Sequence, residues 1–277
     1  MHKLLKCLAV VASVSTAFSA MAYQRNDIPS CYDYAKLTEY KTSNVDRELF
    51  VIVDQTVHLD TNMKKNVASQ LANFGHPGDK VTIVTFSAMA AGEYTNVPFT
   101  GRFEKFPSSN VQDDMNAMSL RKLKRCLKSQ AGAMGQAQQI LKSSFNDGEQ
   151  GYPATELVGT VLTIGNDLVS RSTAERKIVL LVSDMLENSA TLSFYSGGRV
   201  KVPDAKVSYS KYKTQGFVGN FEQAEFHVIG AGFIHGGKNY NSTKSMIELE
   251  KFWKMVLNDA NVDLKQFGKP NLLGSIH

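Results

Sequence analysis

The apolar residues of this chain fall into two kinds of stretch. Lys80–Phe86 and Phe226–Phe233 read as strands, and short, wholly apolar runs rich in β-branched types occur at Leu49–Val53 and Ile178–Val182. Such runs read as strands buried on both faces, the situation of central strands in a parallel sheet. Between them, apolar residues recur at helical spacing. Leu59 to Phe74 carries them at 59, 63, 67, 71 and 74, and Ser119 to Phe145 reads as one long helix through Leu120, Leu123, Leu127, Met134, Ala137 and Leu141. A further apolar helical run follows Thr155 as far as Leu168. The last begins at a Ser242 or Thr243 cap and passes through Met246, Leu249, Phe252, Trp253, Val256 and Leu257, with Trp253 read as a core contact. Gly92–Phe106 alternates and carries Pro98, so it fits an edge strand with loops. Strand and helix alternate throughout, which predicts an α/β fold: a doubly wound, mostly parallel central sheet flanked by helices.

The first 22 residues stand apart. Lys3 and Lys6 precede a mostly apolar stretch from Leu8 to Phe18, and Ala20-Met21-Ala22 supplies small residues for cleavage. This pattern is that of a signal peptide, and the apolar stretch is too short to span a membrane. The expected organisation is a signal peptide over 1–22, an N-terminal arm over 23–46, and one domain over 47–277 with an insertion near 186–220. Export to a periplasm, or secretion, follows, with no stable membrane insertion. Loss of residues 1–22 leaves 255 (277 − 22) and lowers the formal charge from +5 to +3, because Lys3 and Lys6 go and no acidic residue does. That balance is too mild to argue for nucleic acid. Five basic residues, Arg121, Lys122, Lys124, Arg125 and Lys128, cluster in the long helical pattern and read as a solvated face.

Two cysteines, Cys31 and Cys126, remain after cleavage. In an oxidising compartment that number makes one bridge, which would tie the arm to a helix; two separate buried thiols are the alternative.

The chemistry gathers where apolar runs end in carboxylates. Leu49–Val53 stops at Asp54, followed by Gln55-Thr56-Val57-His58; Ile178–Val182 is followed by Ser183-Asp184. Between them, Pro153-Ala154-Thr155-Glu156-Leu157-Val158-Gly159 places a threonine just before a helix, where an N-cap is its plain structural role; Thr160, the rival, lies a turn inside. Open α/β sheets bind ligands at the carboxyl ends of their strands. Asp54-x-Thr56 resembles the Asp-x-Ser-x-Ser start of the metal-ion-dependent adhesion site in von Willebrand factor type A (integrin I-like) domains, with His58 departing from the pattern. Thr155 resembles the family's second-loop threonine, with Pro153 and Ala154 replacing its usual glycines. Asp184 takes the place of the aspartate in its Thr-Asp-Gly or Ser-Asp signature. The resemblance runs over roughly Arg47 to Val262.

It implies a divalent cation held by Asp54, Thr56, Thr155 and Asp184, and a partner protein whose Asp or Glu carboxylate fills the metal's open position. Two carboxylates and two hydroxyls are hard donors, which select Mg²⁺ first, with Ca²⁺ or Mn²⁺ possible. His58 has three readings: a ligand, a support behind the ligands, or the mark of a decayed site. The competing functions are a metal-assisted hydrolase using the same carboxylates, with His58 or Glu187 as base, and a scaffold with a vestigial site. Against hydrolysis, the chain has no Gly-x-Ser-x-Gly, no His-Glu-x-x-His and no Cys with a plausible partner His. Gly230-x-Gly232 lacks the full dinucleotide-binding spacing and arrives too late in the chain for that role.

Overall fold

The computed structural model describes residues 25–87, 94–145, 156–196, 199–234 and 242–277. The expected signal peptide and Thr155 lie outside the described residues.

The four expected strands become neighbours in one sheet. β1 (Arg47–Asp54) pairs in parallel with β2 (Asp79–Ser87) on one side and β4 (Arg176–Val182) on the other, and β4 pairs in parallel with β7 (Glu225–Ile229). β3 (Tyr94–Arg102) lies antiparallel at one edge, and β8 (Asp263–Phe267) is parallel at the other. The order is β3-β2-β1-β4-β7-β8, a six-stranded, mostly parallel sheet of the predicted class.

Alternation along each strand feeds two cores. Phe50, Ile52, Val179, Leu181, Phe226 and Val228 point to one face, covered by α6 (Leu157–Ile164) and α8 (Thr243–Asp259). Leu49, Val51, Val53, Ile178 and Leu180 point to the other, covered by α2 (Thr61–Ala72) and α5 (Ala133–Ser144). Each fully buried aliphatic or aromatic side chain contributes roughly 1.5–3 kcal/mol, so the strands are held from both sides. Trp253 is fully buried in the first core, and Ser242 caps α8 by accepting from the Ser245 amide, both as expected.

The helix expected over Ser119–Phe145 is two. α4 (Ala117–Gln130) ends at Ala131–Gly132, where i→i−3 hydrogen bonds tighten the backbone before α5. The two halves serve different cores, which explains the break. Leu123 of α4 packs with Cys31, Tyr32, Ala35 and Leu37, whereas Ala137 and Leu141 of α5 pack on the sheet. The basic residues of α4 are exposed, as a solvated face requires.

The N-terminal arm includes the short helix α1 (Cys31–Ala35), and Cys31 is joined to Cys126 of α4 by a disulfide with Cα atoms 5.4 Å apart. The arm also covers the open edge of β3: the Asp27 amide donates to the Thr100 carbonyl, and Asn26 Oδ1 accepts from the Arg102 amide. Covered edges do not recruit stray strands.

The stretch 186–220, expected as an insertion, contains a small hairpin, β5 (Tyr195–Ser196) with β6 (Arg199–Val200), and a helix, α7 (Ala205–Lys213). A final four-residue turn of helix, α3 (Ser109–Gln112), precedes α4. Among the described residues no helix is long and apolar enough to cross a membrane.

Candidate metal centre

β1 and β4 are adjacent and parallel, so Asp54 and Asp184 lie at or just past the carboxyl ends of neighbouring central strands. Asp54 is the last residue of β1 and is buried; Ser183 and Asp184 directly follow β4. Asp54 Oδ1 accepts from the Thr56 amide at 2.9 Å and from the Thr56 hydroxyl at 2.6 Å. Its Oδ2 accepts from the Ser183 hydroxyl at 2.8 Å. Ser183 in turn accepts from the Met185 amide at 3.1 Å, so one hydroxyl connects both strand ends.

Asp184 Oδ1 accepts from the Leu186 amide at 2.9 Å, a local turn that fixes its side chain. Met185 between them has φ of 63°, a left-handed conformation that favours glycine. This is the position at which the Thr-Asp-Gly signature carries glycine. Met185 is held there by full burial and by Trp253, whose indole Nε1 donates to the Met185 carbonyl at 2.8 Å. Behind the loop, the Gly232 amide donates to the Asp184 carbonyl at 2.7 Å. Gly230 has φ of 102°, and a Cβ there would lie 2.9 Å from the Ser183 carbonyl oxygen. The Gly230-x-Gly232 pair therefore lets the turn after β7 approach the site loop. The strand expected over Phe226–Phe233 accordingly stops at Ile229.

The electrostatics follow from burial and like charge. Burial pushes the Asp54 carboxyl above the usual range, although the bonds from Thr56 and Ser183 oppose the shift. Asp184 is pushed well above its ordinary value, first by burial and then by the charge of Asp54. On the β5–β6 hairpin, the Tyr195 phenol is also pushed up, by burial and then by the charges of Asp184 and Asp54. The hairpin thus stands within electrostatic reach of the pair.

Among the described residues no three His, Cys, Asp or Glu side chains converge to hold a metal. The loops bring together two carboxylates with the hydroxyls of Thr56 and Ser183. His58 is half-buried in the segment between β1 and α2. This oxygen-rich set fits a hard cation, and two electrostatically coupled carboxylates of raised pKa are an arrangement a cation relieves. Ser183 was not among the expected site residues. Its signal was its place before Asp184 at the end of an apolar run.

Glu187 supplies a second unexpected feature. It is buried, and its Oε2 accepts from the Val158 amide at 2.8 Å; the Leu157 amide and the Ser189 hydroxyl also hold it. The residue at the N-cap position of α6, Glu156, makes no capping bond with its own side chain. The head of α6 is therefore capped from the Asp184 loop. Burial raises the Glu187 carboxyl to about 7, against the lowering effect of the hydrogen bonds it accepts.

No protein-family model matches the chain, and no curated protein matches it. Among solved structures, the chain is similar to the pilus adhesin SpaC from Lactobacillus rhamnosus GG in its open conformation, at 11% identity and a TM-score of 0.40. That match covers 83% of this chain and 29% of SpaC. It is also similar to the vWF domain of the type V pili tip protein Mfa5 from Porphyromonas gingivalis, at 14% identity and a TM-score of 0.24, over 53% of this chain and 40% of the other. A structure of three N-terminal domains of Mfa5 matches at 15% identity and a TM-score of 0.25, covering 53% of this chain and 21% of that one. The chain thus spans less than half the length of each of these structures.

Proposed function

We propose that this chain is an exported protein-binding module that captures a partner's carboxylate at a divalent cation. Asp54 and Asp184 would hold the cation, with Thr56 and Thr155 as hydroxyl ligands or water holders and Ser183 keeping Asp54 in place. Mg²⁺ is the first choice, and Ca²⁺ or Mn²⁺ would suit the same oxygens. The observation that carries this reading is the pair Asp54 and Asp184, brought together at the ends of adjacent central strands with their pKa values raised.

When bound, the cation would supply an electrophilic position open to an incoming carboxylate. The chain's own residues supply the rest. Thr56 and Ser183 orient the two oxygens of Asp54, and the Leu186 amide orients Asp184. Four protein oxygens leave a hard octahedral ion short of its usual ligand number of about six, so water or a partner completes it. Two carboxylates balance a divalent charge, which makes a further anionic ligand acceptable. The disulfide suits an oxidising compartment.

Acetate is a sufficient probe of the open position. In protein loaded with Mn²⁺, acetate should displace metal-bound water and lower the water-proton relaxation enhancement, with no such effect on protein carrying Asp54→Ala. Relaxation indifferent to acetate would remove carboxylate capture. Metal-dependent hydrolysis of ester, peptide or phosphoester substrates, lost in His58→Ala, would replace it with the hydrolase reading.

A further inference from the structure

Glu187 lies three residues past Asp184 and joins three parts of the molecule. Its side chain holds the amides at the head of α6. Its carbonyl accepts from the Phe194 amide at 2.8 Å, which ties in the segment leading to the β5–β6 hairpin. Its own backbone continues the loop that carries Asp184 and Met185. Neither an N-cap nor a plain connection requires a buried carboxylate from a distant loop at this place. Serine or aspartate beside the helix would cap it at lower desolvation cost.

We propose that Glu187 is a positioning residue for the metal centre: in its ionised form it locks the loop that carries Asp184 to the head of α6, and so fixes the place of the Asp184 carboxylate. The inference rests on the metal-dependent reading above. Residues that orient metal ligands from behind set affinity strongly, since their loss typically costs about 10–100-fold. A carboxylate accepting two backbone amides loses much of that grip when protonated, because charge-assisted hydrogen bonds are about twice as strong as neutral ones. A carboxyl titrating at about 7 makes the lock sensitive to pH in the neutral range. The groups that face it are Glu156 at the head of α6, whose charge raises it further, and Tyr212 of α7, which lines the same small cavity.

The experiment is Mn²⁺ binding by calorimetry on the full exported chain, wild type against Glu187→Gln, at about pH 8 and about pH 6. Glutamine keeps the shape and one acceptor but never ionises. The wild type should bind about tenfold or more tightly than the variant at the higher pH, and the ratio should shrink toward one at the lower. Titration of Asp54 and Asp184 affects both proteins and cancels in the ratio. A ratio near one at both pH values, or a fixed ratio at both, would overturn the inference, the latter because a merely structural loss does not follow protonation. Should Glu187→Gln fail to fold, Ser189→Ala removes one donor to the carboxylate and should give a smaller ratio with the same pH trend. A wild type that binds no metal removes the metal reading itself, whereas binding with a ratio of one removes only the role of Glu187.

Discussion

Asp54 and Ser183, which stand 129 positions apart in the chain, meet across the ends of adjacent parallel strands through a 2.8 Å hydrogen bond to Asp54 Oδ2. That bond makes one unit of two loops, and on the proposed reading its loss should weaken metal binding. Ser183→Ala should leave Asp54 Oδ2 without its donor and raise the Asp54 pKa further, because the lost bond favours the ionised form. Loss of one buried partner costs about 1–3 kcal/mol of stability. Urea unfolding and metal titration of the same sample check both effects. Unchanged midpoint and unchanged affinity would show that the serine does not serve Asp54.

The coupled carboxylates predict a conflict between stability and binding. Both carboxyls have folded-state pKa values raised above the unfolded values, so the folded state binds the extra protons. Such groups destabilise the metal-free protein at neutral pH, and the penalty is relieved as pH falls through the raised folded values. Asp184→Asn removes the repulsion at similar shape. In chelator it should therefore raise the melting temperature, by about 2–4 °C for each kcal/mol gained, while abolishing metal binding. A variant that melts lower than wild type in chelator would contradict the like-charge argument.

The positions of Asp54 and Asp184 were legible because apolar runs that stop at a carboxylate mark strand ends. The sheet followed from the same runs. The break at Ala131–Gly132 was hidden, since Leu123 and Ala137 both fit helical spacing although they face different cores. β8 was hidden for another reason. It is a short, half-exposed edge strand whose Asp263 and Lys265 pair with each other, so it lacks an apolar run. The capping of α6 by Glu187 joins residues 29 apart in the chain, and nothing local in the sequence announces such a contact.

The disulfide between Cys31 and Cys126 closes a loop of 95 residues and anchors the arm to α4. Replacing either cysteine with serine should cost about 2–5 kcal/mol. Intact mass after alkylation without reductant, followed by urea unfolding of the variants, is the check. Two alkylated thiols in the exported protein would end this claim.

His227 lies buried in β7, and among the described residues neither ring nitrogen has a hydrogen-bond partner. Burial lowers its pKa from 6.5 to about 4. The sign is opposite to that of the aspartates. Above about pH 6.5 the ring is neutral in both states, and no proton-linked penalty arises. As pH falls from there toward 4, the unfolded chain takes up the proton first and stability is lost. At about 1.36 kcal/mol for each pKa unit, the loss amounts to a few kcal/mol. His227→Leu should flatten this dependence in unfolding curves taken between pH 7 and pH 4. A variant as acid-sensitive as wild type across that window would assign the loss to other groups.

The central claim is that Asp54 and Asp184 hold a divalent cation, and calorimetry tests it most directly. Mg²⁺, Ca²⁺ and Mn²⁺ are titrated in turn into the wild type, Asp54→Ala and Asp184→Ala. The account predicts saturable binding of at least one of these cations at one site per wild-type chain, with binding abolished in both variants. Identical isotherms for wild type and Asp54→Ala with all three metals would contradict it.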